Sequence, residues 1–176
     1  VADRDRAAQM RLVGSLLDIV VLPASRLTAN ERSLVADLML QLLDKVDQDL
    51  RLEVARRIAR VAEAPSALLH VLLLSEPDVA AAVIRRTEPV PEALLIDCAR
   101  KGKTVHREMI ARRLDLTASL ADVILEFKEP EVAKLLLRRD EFTFSPTAID
   151  LLVSMSPSDV DMQALLLRRR ELEPAH

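Results

Sequence analysis

Three observations predict that this chain is all-α, built of short antiparallel helix pairs stacked along the sequence. The apolar residues are mainly Leu, Val, Ala, Ile and Met, with three Phe, no Trp or Tyr, and only two glycines, Gly14 and Gly102. Sheets favour β-branched and aromatic residues and need glycine-bearing turns, so this composition points to helices. The phrase "EPDVAAAVIRR" at 76–86 returns as "EPEVAKLLLRR" at 129–139, 53 residues on. Finally, Val54, Val79, Val105, Val132 and Val160 each open an apolar stripe ending in basic residues, at steps of 25, 26, 27 and 28. A second stripe lies between anchors, as in "SALLHVLLL", "EALLIDCA", "SLADVILEF" and "TAIDLLVSM".

The elements follow in order. The first stripe predicts a helix over 3–21 that ends ahead of Pro23, because a residue before proline is pushed out of the helical region. Thr28 to Glu31, "TANE", has capping-box spacing and starts a helix over 29–45. Further helices are expected at 48–62, 65–74, 76–86, 91–101, 105–113, 118–127, 130–139, 146–154 and 158–171, about eleven in all. Pro77, Pro91, Pro130 and Pro146 suit first turns, where a missing N–H is no loss. Ser75, Thr104, Thr117 and Ser145 are candidate N-caps, and Gly102 stands where the helix begun at Pro91 should stop. Most of these helices are only two or three turns long. Such helices are marginal alone in water, so each must be held by its neighbours.

A length of 176 residues suits one domain. The expected division is an N-terminal cap pair over 1–47, repeats of about 26 residues over 48–157, and a C-terminal helix over 158–176. The start at Val1 and the abrupt "ELEPAH" end lead us to expect a piece of a longer protein.

Several function classes are disfavoured. The net charge is −3, and neither Trp nor Tyr offers a stacking surface, so no nucleic-acid partner is expected. No apolar run reaches the eighteen or so residues that cross a membrane. A single cysteine, Cys98, excludes an internal disulfide and suits the cytoplasm. It lies on an apolar stripe and reads as a small buried hydrophobe. His70, His106 and His176 have no second His or Cys at ligand spacing, so no metal is expected. Two isolated glycines make no phosphate loop, and no cofactor is expected. No enzyme is expected either.

Two constellations remain. Arg86, Arg112 and Arg139 each stand seven residues beyond an anchor valine, two helical turns on, so they form a ladder in phase with the apolar face. They would either grip an acidic peptide or phosphate, or serve as helix-end cations that satisfy free carbonyls and pair with acids of the next unit. At the end of the chain, Leu165, Leu166 and Leu167 cover more than one helical face. Either some are exposed, marking a homodimer contact or a join to a further domain, or Leu152 and Met155 cover them.

Antiparallel pairs at a short period, with Pro-marked starts and basic ends, resemble HEAT repeats of an abbreviated kind. Over roughly 28–171 the chain also resembles an uncharacterised alphaproteobacterial family with an amino-terminal HEAT-like solenoid. The resemblance implies a right-handed α-solenoid and a scaffold that binds a protein or peptide partner along a groove of second helices. It also implies that Asp97, Asp122 and Asp150, on second helices, pair with the arginine ladder.

Overall fold

The computed structural model describes residues 2–22 and 26–172, with side chains from residue 5 onward. Among them are eleven α-helices and no strand. These are α1 (Ala2–Val20), α2 (Ala29–Leu43), α3 (Gln48–Ile58), α4 (Ser66–Leu73), α5 (Pro77–Ile84), α6 (Glu92–Lys101), α7 (Thr104–Ala111), α8 (Ala118–Leu125), α9 (Pro130–Leu137), α10 (Pro146–Met155) and α11 (Val160–Leu166). Pro23 and His176 lie outside the described residues.

The chain divides into two compact units, Val1–Leu94 and Leu95–His176, with the division inside the first turn of α6. The same rule of packing holds within each. In the first unit α1 meets α3 and α3 meets α5, while α2 meets α4. In the second, α7 meets α9 and α9 meets α11, while α8 meets α10. Within each unit, odd helices therefore form one layer and even helices another. Sequence neighbours such as α4 and α5, or α8 and α9, join the layers.

The helix starts obey local chemistry. Thr28 and Glu31 form the capping box of α2: Thr28 Oγ1 accepts from the Glu31 N–H, and the Glu31 carboxylate accepts from the Thr28 N–H at 2.8 Å. Thr117, Ser145 and Asp159 cap α8, α10 and α11 by accepting from N–H groups three residues on. Pro77, Pro130 and Pro146 occupy first turns as expected, whereas Pro91 lies just ahead of α6. Two expected caps differ. The Ser75 hydroxyl donates to Val71 O at 2.8 Å, and the Thr104 hydroxyl donates to Glu129 at 2.6 Å, so Glu76 and Lys103 stand at the N-cap positions instead. No described glycine has positive φ, so Gly102 is not a left-handed cap.

The buried face repeats with one register. In α5 the buried residues are Val79, Ala80, Val83 and Ile84, and in α9 they are Val132, Ala133, Leu136 and Leu137. The same offsets in α7 are His106, Arg107, Ile110 and Ala111, so the anchor there is His106. Val105, taken as an anchor from its chemistry, is exposed, and Val160 at 77% exposure yields likewise to fully buried Met162. The physical reason is distance from the helix start. In α5, α7, α9 and α11 the anchor is the third helical residue, whatever its side chain. A histidine fits because its Nδ1 accepts the Lys103 N–H at 3.1 Å, which satisfies part of its polarity inside the core.

Candidate functional site

Shifting the register moves the ladder. Two turns beyond His106 stands Arg113, which is buried and takes Asp115 in a two-pronged grip at 2.7 Å and 2.7 Å. Arg112 is exposed and only reaches Glu108, one turn back, at 4.0 Å. The ladder is therefore Arg86, Arg113, Arg139 and Arg169, with Arg113 in the place expected for Arg112.

Arg86, Arg139 and Arg169 each stand just past a helix and hold main-chain oxygens at or beyond the end of the preceding odd helix. In the first unit, Arg86 donates to Val61 O at 2.9 Å. In the second, Arg139 donates to Ala111 O and Arg113 O, both at 2.8 Å. Arg169 donates to Arg139 O at 2.9 Å and to Phe142 O. Helix-end carbonyls lack an intrahelical partner, and a buried one needs a donor. In the second unit the acid two residues on neutralises the arginine: Asp115 for Arg113, Glu141 for Arg139 and Glu171 for Arg169. Bonding to Arg113 and Arg139 holds the Asp115 and Glu141 carboxyls below the ordinary range. Phenylalanine rings lie beneath two of the guanidinium groups, Phe142 under Arg139 and Phe144 under Arg169.

A further buried cation, Arg107, lies outside the ladder and the sequence reading. Its side chain is 7% exposed and grips Glu129 with Nε at 2.8 Å and Nη2 at 2.6 Å. Nη1 donates to Ala99 O and Gly102 O, and the Phe127 ring lies 4.0 Å away. The bond from Arg107 pulls the Glu129 carboxyl down against the effect of burial. A sequence signal did exist. The matching position is alanine in three other odd helices, Ala55, Ala80 and Ala133, so an arginine there had to be buried and matched.

The second-helix aspartates do not join the ladder through the bonds seen at two of them. Asp97 pairs with Lys101 on its own helix at 2.9 Å, and Asp122 accepts from the Ser145 hydroxyl at 2.8 Å. Asp150 is exposed on α10. Burial pushes the Cys98 thiol up to about 12, with the nearby Asp97 charge adding to the effect, so it is not a nucleophile at neutral pH. Among the described residues no three His, Cys, Asp or Glu side chains gather as metal ligands, and no helix is long and apolar enough to cross a membrane.

With the ladder arginines engaged, the open features are grooves and edges. Between α8 and α10, on the even layer, lies a hollow of about 480 Å³. It is lined by Leu151, Thr147 and Ser154 together with the charged Glu126, Lys128 and Asp150. Lys128 has φ 51°, the one non-glycine residue with positive φ among those described. Left-handed backbone at a lysine costs about 1 kcal/mol. On the odd layer of the first unit, Leu52, Arg56, Asp78 and Arg85 border a hollow of about 430 Å³ between α3 and α5. A cavity of about 460 Å³ also lies in that unit, lined by Val20, Leu27, Val35 and Val61. The terminal leucines split three ways: Leu166 is buried, Leu165 half-buried and Leu167 76% exposed.

Comparison with curated proteins and with solved structures returns no match. A family model described as "Uncharacterised protein conserved in bacteria (DUF2336)" matches residues 79–176, from the α5 anchor onward and over more than half the chain. The chain belongs to this bacterial family.

Proposed function

We propose that the chain is a HEAT-like protein-interaction module of the bacterial cytoplasm, and that a protein or peptide partner lies along its even layer. The observation that carries this reading is the α8–α10 hollow, whose lining combines Leu151 with the charged Glu126, Lys128 and Asp150. Stacked helical pairs commonly work by offering such an extended surface. Three supports stand behind it. Arg86, Arg139 and Arg169 are occupied in bonding main-chain oxygens and Arg113 in gripping Asp115, which leaves recognition to the surfaces between helices. The lowered carboxyls of Asp115 and Glu129 are accounted for by structural ion pairs rather than by a catalytic cluster. The strained Lys128 lines the hollow itself, and backbone strain concentrates where binding uses it.

The test is a pull-down from native lysate with the wild type and with a Thr147→Arg, Ser154→Arg double variant. Both positions are exposed, so the melting temperature should hold while partner capture is lost. Undiminished capture by the double variant would refute the groove.

A further inference from the structure

The arginine ladder has one step where the arginine is replaced. Seven residues beyond the buried anchors of α5, α7, α9 and α11 stand Arg86, Arg113, Arg139 and Arg169, but seven beyond Val54 of α3 stands Val61. At Arg86, Arg139 and Arg169 the long side chain runs back to the preceding odd helix. Valine is too short for that reach. The cavity of about 460 Å³ in the first unit lies at this step: Val20, Val21 and Leu22 line it from the end of α1, and Val61 and Ala62 from beyond α3. Leu27 and Val35 add to its apolar lining. Val21 and Leu22 are 45% and 41% exposed, so two large apolar side chains at the cavity are left partly in water. Three charged groups share the lining, Arg32, Arg60 and Glu63. Glu63 stands two residues beyond the ladder position, as Asp115 does beyond Arg113. Arg32 reaches it from α2 at 3.5 Å, a loose contact to a carboxylate side chain that is 72% exposed. Arg60 is exposed and enters no ion pair among the described residues.

We propose that this cavity binds an aliphatic carboxylate of the fatty-acid class. Its volume is that of a small-molecule site, which runs from about 300 to 1,000 Å³. The alkyl body lies against Val20, Val61 and Leu27 and covers Val21 and Leu22, removing apolar surface from water. The carboxylate accepts from Arg60, whose planar guanidinium suits a two-oxygen acceptor, with Arg32 as the second donor. A cation fits less well, because two guanidinium groups already stand with one carboxylate in the lining. All of these residues belong to the first unit, so the site is separate from the α8–α10 hollow.

The experiment is calorimetric titration of the protein with sodium decanoate below its micellar concentration, which should show saturable binding at one site. Arg60→Ala should weaken binding at least fivefold with an unchanged melting temperature, since that side chain is exposed. Decanol, the same chain without the charge, should bind at least fivefold more weakly than decanoate. Val61→Arg supplies the missing ladder residue and should abolish binding. Leu27→Trp fills the cavity from a different segment and should do the same if the buried Val61 position does not tolerate arginine. Absence of saturable binding, or equal binding by Arg60→Ala or of decanol, would overturn the proposal. Undiminished binding by either cavity-filling variant, folded by circular dichroism, would also overturn it, because the ligand would then sit elsewhere.

Discussion

Arg139 donates from Nη1 to the main-chain oxygen of Arg113 at 2.8 Å, tying the end of α9 to the end of α7. The bond repeats one step on, where Arg139 itself becomes the acceptor for Arg169. Arginine suits this place because its planar fork reaches two carbonyls and an acid at once while its stem lies along apolar surface. A helix of eight residues such as α7 or α9 has half its carbonyls beyond the reach of its own N–H groups. The ladder satisfies some of them from the neighbouring helix. It is a stacking device, and its period is that of the helical pairs.

Replacing Arg139 or Arg113 by alanine should therefore lower stability by about 1–3 kcal/mol, the scale of lost charged hydrogen bonds. Arg112→Ala should change it by less than about 0.5 kcal/mol, because that side chain lies in solvent. Denaturant unfolding of the three variants side by side checks this. An Arg112 variant as damaged as the other two would contradict the register.

Helix number and type were legible because the apolar stripes agree with most of the prolines and caps, from Thr28 to Pro146, and outweigh the misplaced Ser75 and Thr104. The register was not, where a valine stood beside a better-placed polar residue. Val105 was preferred over His106, yet position relative to the helix start decides which side chain faces inward. That single residue displaced the ladder from Arg113 to Arg112. The recurring acid two places after the arginine, at Asp115, Glu141 and Glu171, is local and readable and would have corrected it. The Arg107–Glu129 pair spans 22 residues and depends on α7 packing against α9. From sequence alone only its cation was detectable, as an arginine where other odd helices have alanine.

Glu129 gives the fold an acid sensitivity. Its carboxyl is held below the ordinary 4.5, chiefly by the hydrogen bond from Arg107. For a group whose pKa is lowered by folding, the stabilisation is fully present above the unfolded value and is lost as pH falls through the folded one. The melting temperature of the wild type should therefore decline below about pH 4.5. Glu129→Gln should be less stable at pH 7 by about 3 kcal/mol, since it leaves Arg107 buried without its counter-charge. Its pH profile below that point should also be shallower. Parallel profiles for the two proteins would show that Glu129 carries no such linkage.

The two glycines should respond to the same substitution with opposite signs. Gly102 lacks positive φ, so its need is for space: a Cβ there would meet Cys98 O at 2.6 Å and His106 Cβ at 2.9 Å. The residue cannot step aside easily. Its N–H donates to Cys98 O at 2.8 Å, and its own oxygen accepts from Arg107 at 2.8 Å. Shifting it would disturb the helix end and the buried arginine together, so Gly102→Ala should destabilise by about 1–3 kcal/mol, as overpacking does. Gly14 sits within α1 with nothing inside 4 Å of an added Cβ. There alanine removes the glycine's entropic penalty in a helix and should stabilise by about 0.5–1 kcal/mol. Midpoints of urea unfolding at equal slope measure both changes. If Gly102→Ala matched or exceeded the wild type, the close approach of α6 and α7 at this turn would not be the constraint that the geometry makes it.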